Sequence, residues 1–290
     1  MRLTFLGIGI LIFFTSLTSV ATLPKEERVP GGIALIRLPQ ILGHPPKAPQ
    51  NGHPPKVTFN GESVALIQRT TKNNQKQWIA VVGIPLNQKP GSAELRVMVG
   101  VHLTKIPFQV KDKAYKLEKL FFKQPKQSKN VKPNLKVLER LERERRHFDR
   151  LFSIWTPTTV ETFKMTRPVP GRVTGTFGNQ RMINGVLASQ HKGIDFSGKV
   201  GTPIHPTLKG KVIDVGQYLL TGNTVMLDHG QGLKTVYAHL STVKVKPGDL
   251  VSPKSIIGTV GKTGRATGPH LHFGVNLNNT RVAPELFFVN

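Results

Sequence analysis

Across its 290 residues the chain carries 41 Lys and Arg against 16 Asp and Glu, a formal charge of +25, and no cysteine. The missing thiol excludes a disulfide framework, a thiolate metal site, a cysteine nucleophile and a lipid-modified N-terminal cysteine. The charge calls for an acidic partner, but aromatic residues at 7% leave no stacking platform for single strands, so no nucleic acid is expected.

Residues 1–21 read as a secretory signal peptide, with Arg2 as the positive start, an apolar run from Leu3 to Phe14 and a small-x-small end at Ser19-Val20-Ala21. The run is shorter than the roughly 20 residues of a spanning helix. No permanent membrane anchor is therefore expected, and the mature chain starts near Thr22. Export turns the positive charge toward cell-envelope polymers that carry carboxylates or phosphates.

Residues 22–120 form a first, β-rich domain. Short strands are expected at Ile33–Leu38, Val57–Phe59, Ser63–Gln68, Gln77–Ile84, Ala93–Val99 and Ile106–Val110, separated by turn residues, which suggests a small antiparallel sandwich. Gly43-His44-Pro45-Pro46-Lys47 recurs as Gly52-His53-Pro54-Pro55-Lys56. The paired prolines make this an exposed loop rather than a metal-binding pair.

Residues 121–170 are a linker and a helix. A Lys-rich stretch, Lys123–Lys132, precedes a helix expected from Pro133 to Ile154, with Leu138, Leu141, Phe148, Leu151 and Phe152 at helical spacing. Its run Glu139-Arg140-Leu141-Glu142-Arg143-Glu144-Arg145-Arg146 reads as a solvated face of opposite-sign pairs, the alternative being a polyanion-binding ridge. The helix is expected to join the two domains.

After Pro168-Val169-Pro170-Gly171 the composition shifts to Gly, Val and Thr, with strands expected at Lys211–Val215, Asn223–Asp228, Thr235–Leu240 and Leu271–Leu277 and no amphipathic helix. Residues 171–290 form an antiparallel β domain, and the fold class is mainly β. From Arg172 onward there are 13 basic and 5 acidic residues, so the front of the chain is the more basic part.

Alternation in an extended strand sends His270 and His272 to one face and Leu271, Phe273 and Val275 to the other. His191 and Asp195 would lie about 13 Å apart in a straight strand, too far to share an ion. The segment must bend, and Gly193 tolerates unusual backbone angles. A hydrolytic zinc site takes three protein ligands plus water, and His191, Asp195 and one of His270 and His272 supply them. No His-Glu-x-x-His occurs, so the proton carrier must be a histidine. His239 suits that role: Val236, Ala238 and Leu240 are read as the apolar face of its strand, with Tyr237 and His239 on the opposite one. His229 competes but is read as turn chemistry, and His102, His147 and His205 as structural.

His191-x-x-x-Asp195, Tyr237-Ala238-His239-Leu240-Ser241 and Thr263-Gly264-x-x-Thr267-Gly268-Pro269-His270-Leu271-His272-Phe273 together resemble the three signatures of lysostaphin-type (LytM-like) zinc endopeptidases of peptidoglycan. Gly201-Thr202-Pro203, Val245-x-x-Gly248-Asp249-x-Val251 and Gly258-x-Val260-Gly261 agree, and the likeness covers about residues 171–287. The resemblance implies a β-sheet fold with an open groove, a zinc ion held by His191, Asp195 and His272, and His239 and His270 as the unligated catalytic pair. The chain departs from the family's common form at His205-Pro206, at the groove wall. Residues 22–160 resemble the β-rich modules that precede such peptidases in Gram-negative bacteria, which implies a periplasmic location.

The resemblance thus implies a zinc endopeptidase that cuts peptide cross-links of peptidoglycan, D-alanyl bonds above all, with zinc-bound water as nucleophile and acidic peptide stems as partner. Because such an enzyme endangers its owner, intramolecular restraint by the N-terminal domain is a further expectation. The alternative is a non-catalytic envelope protein that binds peptidoglycan or regulates another cell-wall hydrolase.

Overall fold

The computed structural model describes residues 22–39, 55–71, 73, 76–120, 135–183 and 186–288. The leader at 1–21, most of the Gly-His-Pro-Pro-Lys repeat and the Lys-rich linker lie outside the described residues.

The N-terminal part is the expected sandwich. One sheet orders Ile33–Arg37, Lys76–Gly83 and Ala65–Thr70, and the other orders Glu62–Ser63, Lys56–Phe59, Gly91–Val99 and His102–Val110. Between them lie Ala34, Ile36, Val57, Phe59, Leu66, Val82 and Leu95. The strand expected at Ser63–Gln68 breaks at Val64, and its two pieces serve different sheets, as happens at the corner of a sandwich.

Alternation makes the first sheet two-faced. Ile33, Ala65, Ile67 and Val81 point away from the sandwich and join the larger core of the C-terminal part. Hydrogen bonds fix the junction: Gly83 N–H donates to Asn278 Oδ1 at 2.6 Å, Asn278 Nδ2 donates back to Gly83 O at 3.0 Å, and Leu66 N–H donates to Gln231 Oε1 at 2.6 Å. A further small sheet was not foreseen from sequence. It pairs Leu117–Leu120 in parallel with Gln180–Ile183, which in turn forms a hairpin with Val186–Gln190.

The C-terminal part is built on a ten-stranded antiparallel sheet whose main path orders Leu250–Val251, Gly210–Tyr218, Gly222–Gly230, Leu233–Val243, His270–Leu277, Ile194–Ser197 and Val173–Gly175. One face buries Val225, Leu227, Tyr237, Leu271, Phe273 and Val275. Tyr237 is fully buried, and its hydroxyl is satisfied by accepting the Thr207 N–H at 2.9 Å. Beyond residue 171 the helical structure among the described residues is a single 3-10 turn, Pro284–Leu286.

The helix, Leu135–Ser153, lies on the opposite face of this sheet. Phe148, Leu151 and Phe152 pack against Ile213, Met226 and Val236, while Leu135 and Leu138 stay 70% and 48% exposed. The apolar stripe is therefore packed only in its C-terminal half. Buried Lys234 donates from Nζ to the carbonyls of Phe152 at 3.1 Å and Ile154 at 2.5 Å, satisfying the orphan acceptors at the helix end. Arg140–Glu144, Glu142–Arg145, Glu142–Arg146 and Arg145–Asp149 form the expected opposite-sign pairs along the helix.

Candidate metal centre

Two cross-strand registers converge on His272. It pairs with Asp195 on one side and with Ala238 on the other, so all three side chains lie on the helix-bearing face of the sheet. Leu271, Phe273 and Val275, each fully buried, anchor the strand from the opposite face. His270 and His272 therefore share a face, as alternation predicts.

His191 arrives from a loop. Its main chain is clamped by Gly178 N–H to His191 O and by His191 N–H to Asn179 O, both 2.8 Å. Gly193 bends the segment as expected, but it is not among the glycines with positive φ. Its necessity is steric: a Cβ there would lie 2.4 Å from the Phe273 carbonyl oxygen and 2.8 Å from His272 Nε2. Gly175 plays the same part beside Asp195, where a Cβ would come 2.3 Å from Oδ2.

The three donors form a tight triangle. His191 Nε2 lies 3.1 Å from both Asp195 Oδ1 and His272 Nδ1, and His272 Nδ1 lies 2.9 Å from Asp195 Oδ1. Tetrahedral zinc with bonds of about 2.0–2.2 Å spaces its ligands at roughly 3.4 Å. The triangle needs only a slight opening to accept such an ion, and two imidazoles with one carboxylate form a fitting donor set. Asp195 is half-buried; burial raises its pKa, but hydrogen bonds to His191 and His272 prevail and hold it well below the usual carboxylate range. Burial pushes the His272 imidazole down, against the pull of Asp195. Both shifts favour a carboxylate and a neutral imidazole, the forms that bind metal.

Backbone carbonyls orient the rings. His191 Nδ1 donates to Thr176 O at 2.8 Å, His239 Nδ1 to Thr263 O at 2.7 Å and His270 Nδ1 to Gly268 O at 2.9 Å. A carbonyl oxygen only accepts, so each Nδ1 carries a proton and each Nε2 is left for the site. Reading side chains from sequence misses these partners, because a main-chain oxygen has no residue signature.

His239 reaches the site by a route that simple alternation does not give. Tyr237 faces the core opposite Phe273, so a regular strand would bury His239 there too. Instead Val225 pairs with Tyr237 while Asn223 pairs with Leu240, an extra residue on this strand, and His239 adopts φ 65°. The bulge returns Leu240 to the core and turns His239 to the metal face. The shared face expected for Tyr237 and His239, and for Ala238 and Leu240, is thus corrected. The His239 ring centroid stands 4.7 Å from that of His270 and 6.1 Å from that of His272. Burial, helped by the nearby imidazoles and opposed by the Thr263 carbonyl, takes its pKa down to about 4. His270 Nε2 lies 3.8 Å from Asp195 Oδ1, outside the triangle.

Two other described histidines, His229 and His147, have their own partners. His229 is not in a turn: it is buried in the Gly222–Gly230 strand, bonded to Lys209 O at 2.7 Å and Thr235 Oγ1 at 2.8 Å. His147 contacts Asp214 at 3.0 Å beneath the helix.

Residues 189–284 match the Peptidase family M23, and residues 26–113 match the Peptidase family M23 N-terminal domain. A solved chain from Pseudomonas aeruginosa, described as a candidate peptidase M23, superposes with a TM-score of 0.71 at 33% identity, covering 90% of this chain and 95% of that one. Peptidoglycan DD-endopeptidase ShyB of Vibrio cholerae is 39% identical over 119 residues, 41% of this chain and 24% of that protein. DD-carboxypeptidase/endopeptidase Mpg of Neisseria meningitidis is 42% identical over 94 residues, 32% of this chain and 22% of its own. The chain thus spans under a quarter of the length of these curated relatives.

Proposed function

Because the chain belongs to peptidase family M23, we propose that it is a zinc-dependent endopeptidase hydrolysing peptide cross-links of bacterial peptidoglycan, with D-alanyl bonds as its target. The observation that carries this reading is the triangle of His191, Asp195 and His272 with two further imidazoles beside it. The names of the Vibrio and Neisseria relatives support the substrate class.

His191 Nε2, Asp195 Oδ1 and His272 Nδ1 would hold the ion. A zinc ion held there would supply Lewis-acid polarisation of a carbonyl and acidification of a water. Hydrolysis breaks the amide C–N bond and forms a C–O bond to water, so one water proton must reach the leaving nitrogen. His239 and His270 are the groups assigned to that transfer, their Nε2 atoms free while their Nδ1 atoms are engaged. The low pKa of His239 keeps its imidazole neutral, with Nε2 unprotonated, at neutral pH.

Mutual comparison of two variants tests this. His272→Ala should lose both zinc and cleavage of purified peptidoglycan, and His239→Ala should keep zinc and lose cleavage, with fragment masses identifying the bond. Full cleavage by His272→Ala overturns the reading, and a wild type that neither cleaves nor holds stoichiometric zinc favours the non-catalytic envelope protein. The excess of basic residues means that binding to acidic peptide stems should weaken as salt rises.

We also assign residues 1–21 as a signal peptide, residues 22–120, 121–170 and 171–290 as the successive parts of the exported chain, and the periplasm as its location. N-terminal sequencing of the exported protein should begin near Thr22. Restraint by the N-terminal domain would act through Tyr115, which packs at 6.3 Å centroid distance on Phe177, next to the Gly178 that clamps His191. Tyr115→Ala should then raise activity, and a fall would discard the restraint.

A further inference from the structure

We propose that Glu144, on the helix between the two matched segments, is a positioning residue for His239. The inference rests on the reading of His239 as a proton-carrying group. The carboxylate of Glu144 accepts the Leu219 N–H at 2.9 Å to Oε2 and 3.2 Å to Oε1. Arg140 Nε holds that carboxylate at 2.7 Å, and Arg140 also donates to the Gln217 carbonyl at 3.2 Å. One Arg–Glu pair thus grips the tip of the Gly210–Tyr218 and Gly222–Gly230 hairpin at two points. Tyr218, between them, turns back to the helix, its ring centroid 4.6 Å from Phe148 and its hydroxyl 2.6 Å from Asp214.

The other side of the tip holds His239. Thr221 O accepts the His239 main-chain N–H at 2.8 Å, and Leu220 O accepts Arg265 N–H at 2.9 Å. Thr263, in the Arg265 loop, receives the Asn223 N–H on Oγ1 at 2.9 Å and the His239 Nδ1–H on its carbonyl at 2.7 Å. Backbone and ring of His239 therefore both depend on this tip and loop. The left-handed conformation of His239 is one that an L-residue leaves unless outside bonds keep it there.

Ordinary helix-surface charge does not account for Glu144. Its side chain is 15% exposed, against 44% for Glu142 and 61% for Arg145 in the same run. A carboxylate withdrawn this far from water needs hydrogen bonds in return, and those it makes lead to the tip. Freed of Glu144, the tip relaxes, the Thr221 carbonyl loses its place, and His239 loses its orientation while the three metal donors keep theirs.

The test uses the full chain and compares Glu144→Ala, Glu144→Gln and Arg140→Ala. In metal-free protein, amide hydrogen exchange at Leu219 and His239 should speed by roughly ten-fold or more in Glu144→Ala, as expected of locally loosened bonds, while Val225 and Tyr237 keep their protection. Glu144→Gln, which retains an acceptor, should restore both. In zinc-loaded protein, kcat on a cross-linked peptide should fall at least about ten-fold with KM and zinc stoichiometry unchanged. Unchanged exchange at His239, or a kcat loss matched by uniform loss of protection, overturns the proposal. Arg140→Ala, which leaves Glu144 in place but unbraced, should give a smaller effect of the same pattern. If His239→Ala keeps its kcat, the role given to His239 fails, and the exchange data alone then decide whether the helix governs its backbone.

Discussion

Gly193 lies against the His272 ring so closely that a Cβ would sit 2.8 Å from both Cε1 and Nε2. The same Cβ would meet the Phe273 carbonyl at 2.4 Å, and that oxygen belongs to a central strand. Gly193→Ala must therefore displace either the His191 loop or His272. Zinc affinity should fall by on the order of 10–100-fold, the cost typical of disturbing the groups that orient a ligand. Zinc titration against a competing chelator measures it, and wild-type affinity would count against the steric role.

The bulge at His239 separates backbone from chemistry. Asn tolerates the left-handed region, whereas a β-branched residue does not. His239→Asn should fold and bind zinc but lack activity. His239→Val should cost about 1–2 kcal/mol more in denaturant unfolding than His239→Asn. Equal stabilities would mean that the strand straightens without penalty.

Tyr237→Phe leaves the buried Thr207 N–H without its 2.9 Å acceptor. An orphaned buried donor costs about 1–3 kcal/mol. The variant should unfold at lower denaturant concentration with an unchanged slope, and an unshifted midpoint would show that another acceptor replaces the hydroxyl.

Acid should destabilise the metal-free protein partly through His229. Burial pushes this imidazole below its ordinary value, outweighing the Lys209 carbonyl and Asp228. The folded pKa thus lies below the unfolded one, so the unfolded chain takes up the proton first as pH falls through about 6.5. Stability is fully present above that pH and declines below it. His229→Gln should flatten the decline between neutral pH and about pH 5, read from thermal midpoints. His239 and His272 titrate in the same direction in both proteins, so identical slopes would remove His229 from the account.

Much of this architecture is legible from residues alone. Strict alternation in His270–Leu277 marks both the metal face and the core face, and the same pattern locates the sandwich strands. Signals fail where the chain leaves regular geometry. The bulge at His239 reverses a face without changing composition, and the strand break at Val64 sends adjacent residues to different sheets. The pairing of Leu117–Leu120 with Gln180–Ile183 joins segments about sixty residues apart, beyond any local pattern. The helix is recognisable, but nothing in its charge run distinguishes Glu144, which grips a hairpin, from Glu142, which pairs along the surface.

The outward row Ile33, Ala65, Ile67 and Val81 has a consequence for how the molecule comes apart. Those side chains are as much a part of the peptidase interior as Phe273, so cutting the chain between its matched segments would bare two oily surfaces at once. The protein should melt in one calorimetric peak, and fragments that begin after the helix should clump rather than stand alone. What looks in sequence like a module with an attachment should therefore behave, in its thermodynamics, as indivisible.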